Sequence, residues 1–332
     1  MQRTTSRLIL FVLIAAVLLA ACSPAESLSE DARQQTLSVM VSTMSSTETV
    51  DAPQPAETLP VASPTLEQAA QVAPTETPLP TQTLAPTEDP RPDPHHWSSW
   101  PVVPWVSGTT KYIYQTGMSN GADPKMVSVI GDCQSEPNVF LGIYDGDRYV
   151  LGEDYVYLEE TIAHFNGSFS HHSLSVVDGL SAPSALSPMW ADQDQCNPDE
   201  NPVLCEMRVN RPAFVFINLG TVWKAGASAE KYKEYLRQIV EIVISYGGIP
   251  ILSTKADNVE GDHSINRATV EIAYEYDVPL WNFWAAADIL PNHGLDAGRD
   301  NIYLTPDGWN RRNFTALQAL DAVWRGVTAA TN

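Results

Sequence analysis

Nucleophilic hydrolysis is the chemistry to which the sequence points first. The apolar run 127–130 ends in the turn Gly131-Asp132-Cys133, a place where a hydrolase can carry its nucleophile. Cysteine attacks esters as a thiolate, and a usual pKa of about 8.5 leaves only a few per cent ionised at neutral pH. The neighbouring Asp132 carboxylate opposes ionisation, whereas the start of a helix would favour it. Ser135 is a second candidate nucleophile, and its simpler interpretation is a hydroxyl that bonds turn backbone.

Two histidines are candidate bases. His263 in "EGDHSIN" and His293 in "LPNHGLD" are both expected on loops, and His293 precedes Asp300 by only seven residues. Either is equally understood as a loop or capping histidine. The pairs at 95–96 and 171–172 lack the Cys/His spacing of zinc sites, so neither a metal nor another cofactor is expected.

The elements that must position these groups alternate between strand and helix. Gly247-Gly248 ends the first of the later helices, and Thr305 with Pro306 begins the last. This alternation predicts βαβ units, a mostly parallel sheet covered on both faces, and a site beyond the carboxyl ends of the strands. The expected strands are 127–130, 214–219, 249–253 and 278–283, and the expected helices are 230–246, 262–276 and 306–326.

Three segments in order resemble the signature blocks of the SGNH (GDSL) hydrolases. They are "GDC" at 131–133, "LGTVW" at 219–223 and "DNIYLTPDGW" at 300–309. The resemblance covers most of residues 125–326. It implies a three-layer α/β/α sandwich and an esterase in which serine attacks, glycine and asparagine bind the oxyanion, and Asp-x-x-His supplies the base.

This sequence departs from the family at the positions of the catalytic and oxyanion-binding residues. Cys133 stands at the serine, Val222 at the oxyanion asparagine and Tyr303 at the histidine. Gly179 in "VDGLSAPSAL" is the best match to the oxyanion glycine, and Asp300 matches the family aspartate. The frame is therefore similar to the family, while most of the catalytic groups are substituted.

These substitutions leave two hypotheses. A phenol with a pKa of about 10 holds its proton at neutral pH, and losing one oxyanion donor costs roughly 10² to 10³ in rate. Loss of nucleophile or base costs roughly 10⁶ in a serine hydrolase. The domain is therefore expected to bind an acylated or carbohydrate envelope ligand without turning it over. The alternative is an active esterase on O-acyl esters that uses Cys133 or Ser135 with a displaced base such as His293.

A polar segment and several tryptophans bear on the ligand. "STKADNVEGDH" at 253–263 is either a solvated loop or a polar rim that hydrogen-bonds a sugar. Tryptophans near it are either stacking faces for such a ligand or core residues. They are Trp190, Trp223, Trp281 and Trp284.

The amino-terminal segment predicts export and anchoring. Arg3 and Arg7 precede an apolar run at 8–21 that is too short to span a membrane. Its end, "LAAC", resembles a bacterial lipobox, which implies cleavage before Cys22 and lipidation of its thiol; the alternative is a cleaved signal with an incidental cysteine. We thus expect a signal peptide at 1–21, a disordered tether at 22–96 and a hydrolase-like domain at 97–329, anchored outside the cytoplasm to a bacterial membrane.

Charge and cysteine content limit the partners and the redox setting. The chain has 19 Lys and Arg against 40 Asp and Glu, a net charge of −21, so a nucleic-acid partner is not expected. An exported protein can form disulfides. Cys196 and Cys205 lie in one polar loop with Asn-Pro turns and are expected to pair, which leaves Cys133 as the odd cysteine.

Overall fold

The computed structural model describes residues 91–223 and 226–329. The expected signal peptide, Cys22 and almost all of the expected tether lie outside the described residues. The described part opens with a 3₁₀ helix, Pro94–Ser99, which is capped by the side chain of Asp93. Trp100, directly after it, is buried in the core.

Four parallel strands form one sheet, as the sequence predicts. They are β1 Asp123–Gly131, β2 Pro212–Asn218, β3 Ile249–Ser253 and β4 Leu280–Trp281, and they lie in that order. The register sets Gly131 beside Asn218, so the loops after β1 and β2 leave the sheet at the same level.

The fourth strand is shorter than the six residues predicted. Its apolar run at 278–283 includes Asn282, whose side chain accepts a hydrogen bond from the backbone N–H of Ala285 at 3.3 Å. A side-chain oxygen that satisfies this donor begins a helix, so Phe283 becomes the first residue of a helix and not the last of a strand.

The helices cover the sheet in two layers. With the strands in sequential order and right-handed crossovers, the helices that connect them lie on one face; these are α4, α5 and α6, which pack side by side. Helix α8 packs with α1, α2 and α7. The helices are α1 Gly108–Ser119, α2 Leu158–His164, α3 Ala182–Ala185, α4 Pro202–Asn210, α5 Ala229–Ser245, α6 Ser264–Tyr276, α7 Phe283–Ala287 and α8 Pro306–Thr328.

Local sequence signals explain where the long helices begin and end. Ser228 caps α5 by accepting from the N–H of Lys231, and Gly247 follows its end with φ of 81°. A positive φ costs glycine little, and the N–H of Gly248 then bonds the carbonyl of Val243 at 3.0 Å. Thr305 caps α8, as expected from its place before Pro306. None of the helices in residues 91–223 and 226–329 has both the length and the apolar character needed to cross a membrane.

The predicted disulfide between Cys196 and Cys205 is confirmed. The two Cα atoms are 5.3 Å apart, and the bond ties a polar loop to α4. Cys133 is the free cysteine of the described residues.

Candidate functional site

The end of β1 carries the candidate nucleophiles on a single 3₁₀ turn, Cys133–Ser135. Asp132 caps this turn by accepting from the N–H of Gln134 at 2.9 Å. The Ser135 side chain is 2% exposed, packs over Gly131, where a Cβ atom would collide with it, and receives a hydrogen bond from Asn218 at 3.4 Å. Its hydroxyl thus supports the turn, while the thiol of Cys133 is partly exposed.

An aspartate from a distant loop meets this thiol. The N–H of Gly131 donates to Ser175, and the N–H of Val177 donates to Gly131, so residues 175–177 run beside the end of β1. The next residue, Asp178, accepts a hydrogen bond from the Cys133 thiol. Burial, this hydrogen bond and the charge of Asp132 raise the pKa of Cys133 to about 11. The surroundings of Cys133 therefore hold it as a thiol.

Tyr303 lies near Cys133, but Asp300 makes no bond to Tyr303. Burial raises the pKa of Tyr303, and the electrostatic effects of Asp178 and of Cys133, once ionised, raise it further, against the opposing effect of Arg299. The guanidinium of Arg299 lies over the Tyr303 ring, 4.1 Å from its centre. Asp300 is exposed with φ of 56°. Among the hydrogen bonds of the described residues, none involves its side chain.

The two expected oxyanion positions offer no side-chain donor. Val222 is 39% exposed in the turn after β2, where the N–H of Trp223 donates a hydrogen bond to the carbonyl of Gly220. Gly179 follows Asp178 with φ of 72°. Any oxyanion donor at either place would have to be a backbone N–H.

His263 and His293 both pack against Trp284. Their ring centres are 5.8 and 5.0 Å from that of Trp284, and His263 also packs 5.6 Å from Trp97. Burial lowers the pKa of His263. No hydrogen bond or ion pair of the described residues joins either histidine to Cys133, and the partner of His293 is Asp288, at 3.8 Å. The structure thus brings Tyr303 to Cys133 and leaves both histidines elsewhere.

The polar segment after β3 is not a solvated loop at three of its charged positions, although Asp262 is exposed. The ammonium of Lys255 is buried and donates to Asp257 at 2.5 Å and to Glu260 at 2.6 Å, with both carboxylates equally buried. Thr221 from the turn after β2 donates to the same Asp257 at 2.9 Å. This buried triad of Lys255, Asp257 and Glu260 joins the loops after β2 and β3. Trp281, a candidate stacking face, is a core residue with no exposure.

A pocket with a cavity volume of about 40 Å³, partly open to solvent, lies beyond the ends of β1, β2 and β3. Arg312 of α8 reaches into it, donates to the carbonyl of Gln134 and lies 4.4 Å from the centre of the Phe140 ring. Arg312 and Asp178 are the main site residues that sequence reasoning missed. Arg312 lies within α8, more than one turn from its start, where no local signal marks it as a site residue. The position of Asp178 depends on the pairing of residues 175–177 with the end of β1, which no local sequence pattern predicts.

No group of three or more His, Cys, Asp and Glu side chains in the described ranges is arranged to hold a metal ion. Asp132 and Arg312 present a carboxylate and a guanidinium to the pocket beyond the strand ends.

Comparison with known proteins finds similarity among solved structures alone, since no family model and no curated protein matches the chain. A G-D-S-L family protein from Desulfitobacterium hafniense is 16% identical, with a TM-score of 0.40, over 59% of this chain and 99% of its own. A lipase/acylhydrolase from Enterococcus faecalis is 15% identical, with a TM-score of 0.38, over 60% and 96%. A mutant of Axe2, an acetylxylan esterase from Geobacillus stearothermophilus, is 17% identical, with a TM-score of 0.40, over 61% and 97%.

With TM-scores of 0.38 to 0.40 and identities of 15–17%, these matches do not establish a family for this chain. The chain itself supplies a parallel sheet with helices on both faces, a turn after β1 that carries the nucleophile position, and a last loop that brings Tyr303 to it. The fold of this chain is an α/β sandwich built on a four-stranded parallel sheet.

Proposed function

We propose that this chain is a membrane-anchored lipoprotein whose SGNH-hydrolase-like domain binds an acylated or carbohydrate envelope ligand without hydrolysing it. The observation that carries the proposal is the environment of Cys133, whose thiol donates to Asp178 and lies near Tyr303, with a pKa raised to about 11. In this setting the nucleophile stays protonated and has no histidine to take its proton.

The physical argument concerns the proton. At neutral pH a thiol with a pKa of about 11 is ionised about once in 10⁴ molecules, against a few per cent for an ordinary cysteine. Asp178 is too weak a base to deprotonate it, and Tyr303 retains its own proton because burial raises its pKa. Attack on an ester therefore lacks both a charged nucleophile and a general base.

Anchoring and export are supported by the sequence and the disulfide. Cys22 follows the apolar run in a segment that resembles a lipobox. The Cys196–Cys205 bond is of the kind that persists in an oxidising, extracytoplasmic setting.

Hydrolysis of p-nitrophenyl acetate tests the proposal. Wild-type protein and the Cys133→Ala variant are both expected to release product no faster than buffer does. A variant that restores the family residues, Cys133→Ser with Val222→Asn and Tyr303→His, is expected to exceed both.

The single variant Cys133→Ser serves as the matched control, because it supplies the family nucleophile without a base. It is expected to remain at the buffer rate. Turnover by the wild type well above that rate, lost in Cys133→Ala, would contradict the proposal and favour the active esterase.

A further inference from the structure

Two buried opposite charges face the same pocket without forming an ion pair. Asp132 is 6% exposed and Arg312 is 7% exposed, and both line the pocket beyond β1, β2 and β3. They attract each other enough for each to shift the pKa of the other. No ion pair within 4.0 Å joins them among the described residues, so a gap separates the guanidinium from the carboxylate.

Each of these charges has unused hydrogen-bonding capacity. A guanidinium has five N–H donors, and the Arg312 side chain donates to one protein acceptor, the carbonyl of Gln134. One carboxylate oxygen of Asp132 accepts from the N–H of Gln134, and the other accepts from no group of the described residues. Burial lowers the pKa of Arg312 to about 10 and raises that of Asp132. No atom of Asp132 or Arg312 is among the buried, unpartnered side-chain atoms of the described residues, so the free oxygen and N–H groups are open to water or to a ligand in the pocket.

The third charge of the pocket is already satisfied. The ammonium of Lys255 has three donors and meets three acceptors, namely the carboxylates of Asp257 and Glu260 and the carbonyl of Asp257. A ligand therefore meets a free donor face on Arg312 and a free acceptor on Asp132. Because these two charges cancel, the matching group is neutral and carries one donor and one acceptor.

The remaining walls of the pocket are largely apolar. They include Leu219, Ala256, Phe283, Leu295 and Leu304. The cavity volume of the pocket is about 40 Å³, which is room for about three water molecules at roughly 10–15 Å³ each. It therefore suits a compact group with an apolar end.

We propose that the gap between Asp132 and Arg312 binds the acetamido group of an N-acetylated amino sugar. The amide N–H donates to Asp132, the amide oxygen accepts from Arg312, and the methyl group lies against the apolar walls. This inference rests on the proposed function in that the crevice binds an envelope ligand. A glycan that carries N-acetyl groups supplies one such group at each amino sugar.

Calorimetric titration of the full-length protein tests this pocket. The probe is a short oligomer of N-acetylglucosamine, and the comparison sugar is a cello-oligomer of the same length, which has hydroxyl groups in place of the acetamido groups. The wild type is expected to bind the N-acetylated oligomer at least tenfold more tightly. Equal binding of both sugars, or binding of neither, would mean that water alone satisfies Asp132 and Arg312, and would overturn the proposal.

Two variants probe the two sides of the gap. Asp132→Asn keeps an oxygen for the N–H of Gln134 but presents an NH₂ donor to the ligand N–H, while Arg312→Lys keeps a charge and removes the planar fork. Each is expected to weaken binding of the N-acetylated oligomer at least tenfold. Arg311→Lys is the matched control, since Arg311 donates to Ala286 outside the pocket and its loss should leave affinity unchanged.

Thermal melts show whether each variant is folded, so that a loss of binding can be distinguished from unfolding. If Arg312→Lys unfolds, Asp132→Asn alone decides, and unchanged affinity in a folded Asp132→Asn protein overturns the proposal. Ester hydrolysis by the same samples is read separately. Turnover that depends on Cys133 would contradict the proposed lack of catalysis and would leave the acetamido pocket to be judged by its own titrations.

Discussion

At the scale of single residues, the position of Cys133 is defined by what surrounds its sulfur. Half-burial weakens the solvation of a thiolate, the thiol donates to Asp178, and Asp132 adds a second negative charge. All three favour the neutral thiol. Reactive cysteines lie instead in electropositive surroundings that lower their pKa. The change from serine to cysteine at this turn thus comes with a local field of the wrong sign for attack.

The pH dependence of alkylation at Cys133 measures the pKa of its thiol. Iodoacetamide reacts with the thiolate, so its rate at Cys133 is expected to rise about tenfold per pH unit up to a pH of about 11. An ordinary cysteine levels off above a pH of about 9. The measurement is the rate at the Cys133 peptide by mass spectrometry, and a plateau near pH 9 would contradict the raised pKa.

Asp178→Asn tests the cause of the shift. The amide removes a negative charge and the strongest acceptor of the thiol proton, so the pKa of Cys133 is expected to fall and alkylation at pH 8 to become several times faster. A drop of one pKa unit corresponds to about a tenfold rise in thiolate. Glu234→Gln, on the exposed face of α5, is the control and should leave the profile unchanged.

At the scale of elements, the loops at the carboxyl edge of the sheet are joined by buried charge. Lys255 forms ion pairs with both Asp257 and Glu260, and Asp257 also accepts from Thr221 in the turn after β2. Breaking a buried ion pair by removing one partner leaves an uncompensated charge and costs about 3–5 kcal/mol. The buried triad therefore couples the position of the β2 turn to that of the β3 loop.

Lys255→Met is expected to lower the free energy of unfolding by about 3–5 kcal/mol in urea titrations at neutral pH. The loss should shrink as the pH falls, because protonation discharges the two unpaired carboxylates. Lys231→Met is the matched control. Its ion pair with Glu234 is half-exposed on α5, and pairs of that kind contribute at most about 1 kcal/mol. A cost for Lys255→Met as small as that of the control would show that the triad does not stabilise the site.

The sequence predicts the elements better than the contacts between loops. Periodic apolar residues and caps place β1 to β3, α5, α6 and α8 within a few residues, because these signals are local. The roles of Asp178 and Arg312 depend on pairing across more than 40 residues of chain, which periodicity does not record. The charged loop after β3 resembles a solvated loop in composition, and only the packing of Thr221 and the turn after β2 against it reveals why its charges are buried.

At the scale of the whole molecule, the net charge of the chain bears on how the chain is anchored to a membrane. The chain has a net charge of −21, and residues 23–94 contribute eleven acidic and two basic side chains. Anionic membrane surfaces repel such a segment and attract basic ones. The acidic segment therefore supplies no electrostatic attraction to an anionic membrane, and the proposed anchoring depends on the lipid at Cys22.

Cys22→Ala tests the anchor. Wild-type protein expressed in a bacterial host is expected in the membrane fraction, because acyl chains at Cys22 contribute about 0.8 kcal/mol for each buried CH₂ group. The variant is expected to leave that fraction, and mass spectrometry of the wild-type amino-terminal peptide should show acyl chains on residue 22. Cys133→Ala is the control and should remain with the membranes, since Cys133 is half-buried in the domain beside Asp178. Wild-type protein in the soluble fraction with an unmodified Cys22 would instead favour a cleaved signal peptide and a secreted domain.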